Sequence, residues 1–273
     1  MAEIQADGCR LFFTVEGPPD APALLLSNSI GTTSALWDRQ AGPFARAFRV
    51  VRYDTRGHGR SSVPSGDYTM DQLGRDALAV LDAAGAARAH VCGISLGGIT
   101  AMWLGVHAPD RIERLVLANT GARVGTFETW QQRIAAIRAN GMAPIAEATP
   151  SRWFTEGFRQ RAPDVVATFT AMVAACPKDG YAGCAAAIRD TDLREEVRNI
   201  AAPTLVITGS ADPATPPSDG AFLSERIPGA RRVELEAAHL SNVEAADGFT
   251  AAVLDFLASQ GLGPDIPAQP LAG

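Results

Sequence analysis

The stretch HVCGISLGGITAMW covers residues 90–103. An apolar run ends at Ser95, and an apolar segment with helical spacing starts at the next residue. Gly93-Ile94-Ser95-Leu96-Gly97 is a G-x-S-x-G match. Glycine and serine are common, so the pattern alone carries little weight. Its setting carries more. A residue wedged between a strand and a helix sits on a tight turn, and flanking glycines let the backbone close around it. The hydroxyl is then presented at a helix N-terminus, where partial positive charge favours a developing anion. A capping serine in an ordinary Gly-rich turn would share the spacing, but the strand-to-helix setting favours a nucleophile.

Outward from this turn, strand and helix signals alternate. RLFFTVEG (10–17), ALLLSN (23–28), FRVVRYD (48–54) and RIERLVLANT (111–120) read as strands. Residues 34–48 have amphipathic helical spacing, interrupted by Gly42 and Pro43. Residues 69–85 form a second helix, with Thr69 and Asp71 at its start and Gly85 as its stop. The alternation predicts an α/β fold, a mostly parallel central sheet flanked by helices. From about Gly125 to Asn199 the rhythm is helical, with no convincing strand. A strand returns at residues 204–208, another follows at 230–239, and a helix closes at 242–259. The expected organisation is a core of residues 1–124 and 200–262, interrupted by a helical cap at 125–199. The Pro/Gly-rich residues 263–273 read as a flexible tail.

The bulk numbers narrow the function. The chain has 273 residues, 47% of them hydrophobic, enough for a sizeable core, and a net charge of −6. An acidic chain has no general footprint for nucleic acid or an anionic membrane, so neither is expected as a partner. No apolar run approaches the roughly 20 residues of a membrane helix. The N-terminal residues lack a basic region followed by a long apolar one, which predicts no secretory signal and a cytoplasmic protein. Cys9, Cys92, Cys176 and Cys184 form no CxxC pair and no zinc-ligand cluster. Cys176 and Cys184 could bridge under oxidising conditions; reduced thiols are the favoured reading. No metal and no organic cofactor is expected.

A serine nucleophile needs a base. Of four histidines, His58 lies in the Gly-rich turn RGHGRSS, His90 opens a strand and His107 falls near a helix end. His239, on a loop after the last strand, is the best candidate. Asp212 follows the strand at 204–208, again at a carboxyl end, and is the expected orienting carboxylate. Asp190 and Asp192 sit in the helical segment and fit less well. Arg56 reads as structural, fixing the Gly-rich turn. An acyl-transfer site also needs an oxyanion hole. One donor would be the N–H of Leu96, which follows the nucleophile. The other would come from the polar knot after residues 23–28, SNSIGTT, with Ile30 N–H as the donor. Ser29 and Thr32 in that knot are candidate substrate contacts. Trp130 and Arg133, three residues apart on one helix face, are further candidate substrate contacts.

The order Ser95, Asp212, His239 is that of the α/β-hydrolase triad, and the chain resembles that superfamily over nearly its whole length. Many members carry His-Gly in the knot, where this chain has Asn28-Ser29-Ile30. SNSIGTTSALWDRQ, FRVVRYDTRGHGRSS, HVCGISLGG, RLVLANTGARVG and YAGCAAAIRDTDLRE together resemble 3-oxoadipate enol-lactonases, cytoplasmic bacterial enzymes of aromatic breakdown. The resemblance implies a five-membered enol-lactone with an acetate arm as substrate, opened through an acyl-enzyme without a cofactor. Two other readings stay open: a hydrolase of another small ester or a cofactor-free perhydrolase on this fold, and a ligand receptor of low turnover.

Overall fold

The computed structural model describes residues 1–259. The expected tail, 263–273, lies outside the described residues. Eight strands form one sheet: β1 (Ala2–Ala6), β2 (Cys9–Glu16), β3 (Ala23–Ser27), β4 (Arg49–Tyr53), β5 (Ala89–Ile94), β6 (Ile112–Ala118), β7 (Thr204–Gly209) and β8 (Arg231–Leu235). Their spatial order is β1-β2-β4-β3-β5-β6-β7-β8. β2 runs antiparallel to both its neighbours, β1 and β4, and all other pairings are parallel. The central strands β3, β5 and β7 are buried along their whole length. Both their faces are covered, which explains their continuous apolar runs. The edge strands β1 and β8 are half-exposed, and β8 carries Arg231, Arg232 and Glu234.

The first helices are α1 (Asp38–Ala45), α2 (Met70–Ala83) and α3 (Leu96–His107). Between β6 and β7 lie α4 (Phe127–Asn140), α5 (Ala143–Trp153), α6 (Glu156–Arg161), α7 (Pro163–Ala174) and α8 (Lys178–Asp190). After β7 come α9 (Pro217–Arg226), α10 (Ser241–Glu244) and α11 (Ala246–Ala258). α1 packs on α11 and α2 on α3, which layers helices on the sheet. α2 starts at a capping box between Thr69 and Gln72, and the chain turns beyond it at Gly85, with φ of 69°.

Several boundaries differ from those expected. Residues 34–37 form a 3₁₀ turn, and α1 stops at Ala45, soon after Pro43. The helix expected at 242–259 is broken at Ala245 into α10 and α11. β8 ends at Leu235, which leaves His239 on a loop. β1 was not anticipated. It pairs with β2 through a turn at Asp7 and Gly8, both at positive φ.

Strand order places the site. From β3 the chain crosses to β4 on one side, and β5 lies on the other. The loops after β3 and β5 therefore flank the reversal of strand order, where open α/β sheets form a crevice. Ser27 is in register with Gly93, so the polar knot lies beside the Ser95 turn.

Candidate active site

Ser95 sits between β5 and α3 with φ 58° and ψ −120°, a conformation that L-residues rarely adopt. Its N–H donates to the Ala118 carbonyl at 3.0 Å, and its carbonyl accepts from Thr120 Oγ1 at 2.8 Å. The turn closes only around glycines. A Cβ on Gly93 would lie 2.1 Å from the Gly97 carbonyl oxygen, and one on Gly97 would lie 2.1 Å from that of Ser27. The G-x-S-x-G spacing is thus a packing requirement at both ends.

The three residues singled out after three separate strands meet in space. Ser95 Oγ lies 2.9 Å from His239 Nε2, and His239 Nδ1 lies 2.9 Å from Asp212 Oδ2. Asp212 Oδ2 also accepts from Asn119 Nδ2 at 3.0 Å and Thr215 Oγ1 at 2.7 Å. Its Oδ1 accepts from the amides of Ala214 and Thr215, at 2.8 and 3.1 Å. Burial alone would raise the Asp212 carboxyl. His239, Asn119 and the Thr215 amide outweigh it and hold the group down, at about 2. An ionised Asp212 can only accept, so His239 carries its proton on Nδ1 and offers the Nε2 lone pair to Ser95. Asp219, at the start of α9, is half-buried near Asp212. Burial first, and the Asp212 charge second, raise its carboxyl to about 6.

The polar knot after β3 is held from several sides. Asn28 bridges the Tyr53 carbonyl and Trp37 Nε1, at 2.7 and 2.9 Å. Thr32 donates both its amide and its hydroxyl to the Ser29 carbonyl, at 3.2 and 2.7 Å. Thr32 therefore braces the loop and is not part of the cavity lining, contrary to the substrate contact expected of it. In a trans peptide the N–H points away from the carbonyl. Fixing the Ser29 carbonyl thereby aims the Ile30 N–H. That N–H makes no hydrogen bond among the described residues. Leu96 N–H opens α3, where the first amides have no intrahelical acceptor.

Ser29, Ile30, Ser95, Leu96 and His239 face one pocket. The Ser29 hydroxyl is buried there without a hydrogen-bond partner among the described residues. The opposite wall is helical. Trp130 and Arg133 of α4 both line it, with the guanidinium stacked 4.7 Å from the indole centroid. Trp130 is fixed by its Nε1–H donating to the Val124 carbonyl at 2.7 Å. Arg152 and Trp153 of α5 and Tyr181 of α8 complete that wall. Partial burial and the nearby Arg133 charge push the Arg152 guanidinium below its ordinary value.

The helical segment also reaches the His239 loop. Glu244 Oε2 accepts from the Ala238 amide at 3.0 Å and the Thr155 amide at 3.2 Å, while Oε1 accepts from the Thr155 hydroxyl. Leu240 N–H donates to the Trp153 carbonyl at 3.2 Å. Both neighbours of His239 are thus bonded to this network.

A model of the α/β hydrolase fold family matches residues 22–246. The chain belongs to the α/β-hydrolase family. This α/β-hydrolase is 42% identical over 250 residues to 3-oxoadipate enol-lactonase 2 of Acinetobacter baylyi, covering 92% of this chain and 94% of that one. Its structure resembles the crystal structure of the enol-lactonase from Burkholderia xenovorans with a TM-score of 0.93 and 43% identity, over 94% of this chain and all of the other. A hydrolase from Pseudomonas aeruginosa is 49% identical with a TM-score of 0.92, over 94% and 98% of the two chains. The resemblance to enol-lactonases thus extends over 92–94% of the chain, and the α/β-hydrolase is an enzyme of the ester-hydrolase type.

Arg56 does not line the cavity. It forms a two-pronged ion pair with Asp76 at 2.6 and 2.7 Å, both side chains 1% exposed. All four cysteines are buried and free. Sequence reasoning missed Asn119, Thr215, Arg152, Tyr181 and Glu244. Asn119 was within reach, because it follows β6 at a carboxyl end, as Ser95 and Asp212 follow β5 and β7. No helix of the described residues is long and apolar enough to cross a membrane.

Proposed function

We propose that the protein hydrolyses 3-oxoadipate enol-lactone to 3-oxoadipate through an acyl-enzyme on Ser95. The observation that carries the reading is the pairing of two unlike walls. A Ser95–His239–Asp212 hydrogen-bond chain faces one side of the cavity, and Arg133 and Arg152 face the other without a carboxylate partner among the described residues. The enol-lactonase names of the similar proteins support the choice of substrate.

Ser95 Oγ attacks the ring carbonyl carbon while His239 Nε2 takes its proton. The oxyanion is met by the amides of Ile30 and Leu96. Collapse breaks the ring C–O bond and expels an enolate, a better leaving group than an alkoxide. The imidazolium protonates it, and the enol relaxes to the ketone. Water, deprotonated by the same histidine, then attacks the acyl carbon and frees Ser95. Asp212 orients the ring and stabilises the imidazolium. The acetate arm lies toward Arg133, whose fork matches a carboxylate, with Trp130 as a wall and Ser29 Oγ as a further donor. None of these steps needs a metal or an organic cofactor.

In this reading residues 1–124 and 200–262 are the catalytic core and 125–199 the cap that sets specificity. We assign the reaction to the cytoplasm, where the lactone would be made and consumed. The test is incubation with the enol-lactone, following loss of substrate and identifying 3-oxoadipate by mass. Multiple turnovers of the lactone at rates above those on p-nitrophenyl acetate are expected. Turnover of the neutral ester without the lactone would assign a different small ester. No turnover of either would favour a receptor.

A further inference from the structure

His58 is fully buried in the turn after β4, at 1% exposure, and lies outside the cavity that Ser95 faces. Both its ring nitrogens are used. Nδ1 is 3.1 Å from the Arg56 carbonyl, which can only accept. Nε2 is 2.9 Å from the Gly31 amide, which can only donate. These two partners fix one tautomer, with the proton on Nδ1 and the lone pair on Nε2. The ring must be neutral, because an imidazolium has no lone pair for Gly31.

Gly31 is the residue after Ile30, and its φ of 79° turns the chain there. The Ser29–Ile30 peptide is held at its carbonyl by Thr32. The next peptide, Ile30–Gly31, is held at its N–H by His58. With both units fixed, the Ile30 amide has no freedom to swing. We propose that His58 is a positioning residue for the oxyanion hole, its Nε2 lone pair fixing the Gly31 amide so that the Ile30 N–H stays aimed at the reacting oxygen. His58 never touches the substrate. The bond links the RGHG turn to the polar knot, and α8 of the insertion covers it, with Cys184 Sγ 3.9 Å from Nδ1. Burial, as the largest influence, lowers the His58 pKa against the raising effects of the Arg56 carbonyl and Asp54, in keeping with a neutral ring.

The inference rests on Ser95 as nucleophile and Ile30 as donor, but not on the lactone. Measuring a neutral ester beside the lactone separates its failure from that of the substrate assignment. The variants are His58→Phe, which fills the space without an acceptor, and His58→Gln, whose amide can accept from Gly31 and donate to Arg56. Rates are normalised to titrated Ser95. The His58→Phe protein should lose roughly tenfold or more in kcat on both substrates, with KM within about threefold, because a misaimed oxyanion donor costs the transition state. Phenylboronic acid, whose tetrahedral adduct puts an oxygen in the hole, should bind it correspondingly less well. A short keto acid should bind as before. His58→Gln should recover most of the loss. His58→Phe kcat within about twofold of wild type, or a parallel fall in boronate and keto-acid affinity, would overturn the proposal. Should the phenylalanine protein not fold, a folded His58→Gln protein slowed about tenfold would overturn it equally.

Discussion

The sheet wall of the cavity and the helical wall facing it hold their polar groups in different ways. On the sheet side, Asp212 accepts from Ala214, Thr215 twice, Asn119 and His239, and every atom of the reacting chain is bonded. On the helical side, Arg133 lies against the Trp130 face, and Arg152 lines the cavity while keeping much of its surface exposed. Short loops after strands can fix an atom through backbone bonds. Long side chains on an amphipathic helix retain slack. In the proposed reaction the rigid wall makes and breaks bonds and the adaptable one recognises charge.

Removing the nucleophile tests the rigid wall hardest. Ser95→Ala should lose on the order of 10⁴-fold or more in kcat on lactone and neutral ester alike, without loss of fold by circular dichroism. Activity within about tenfold of wild type would remove Ser95 from the chemistry. Asp212→Asn should follow, at about 10³–10⁴-fold, because an amide no longer selects the working tautomer of His239. A neutral outcome there, beside another essential carboxylate, would break the assignment.

Arg133→Ala sharpens the division between walls. It should cost about 1–3 kcal/mol in kcat/KM on the acidic lactone and much less on p-nitrophenyl acetate. Equal losses would make the arginine a packing residue. Glu244→Gln asks whether the division is complete. Its carboxylate joins Thr155 of the helical segment to Ala238, so the variant should lose about tenfold in kcat on both substrates with KM little changed. An effect on the lactone alone would return Glu244 to the specificity side.

The smallest effect concerns Asp219. Its folded carboxyl titrates at about 6, above its ordinary value. Between the unfolded and folded values the native state binds more protons, so stability falls as pH rises through that window. Asp219→Asn should therefore be more stable than wild type at pH 8, by up to about 1 kcal/mol after discounting for partial exposure, and alike at pH 4. Urea melts at the two pH values measure it; a variant less stable at pH 8 would contradict the assigned cost of burying this carboxylate beside Asp212.

Legibility in the sequence followed the range of the signal. The strands before Ser95 and Asp212 are local apolar runs, so the placement of those two residues could be read directly; β8, before His239, is largely polar, and His239 is legible from its loop position after the last strand. β1 is harder to read: AEIQA alternates apolar and polar residues, but the run is five residues long, mostly exposed, and owes its place to pairing with β2. Helical spacing, with Trp130 and Arg133 three residues apart, identified α4 as a candidate wall. It gave no hint that Arg152 and Tyr181, from α5 and α8, would join Trp130 there, since helical spacing defines a face but not its partner. Thr32 was visible as a polar residue in the right loop, yet which group its hydroxyl meets depends on the turn's own closure. Glu244 and Thr155 stand 89 residues apart, and nothing local in either marks the bond between them.

That bond bears on how such enzymes change over evolutionary time. A cap that only roofed the cavity could be exchanged between lineages as a cassette cut at its two chain crossings. Here the segment around Trp153 and Thr155 is bonded to the His239 loop, so a foreign helical segment would arrive without the other half of those bonds. New specificities are then reached more readily by point changes at Arg133 or Arg152 than by wholesale replacement. A chimaera built in the laboratory would have to carry residues 153–155 and Glu244 from the same parent.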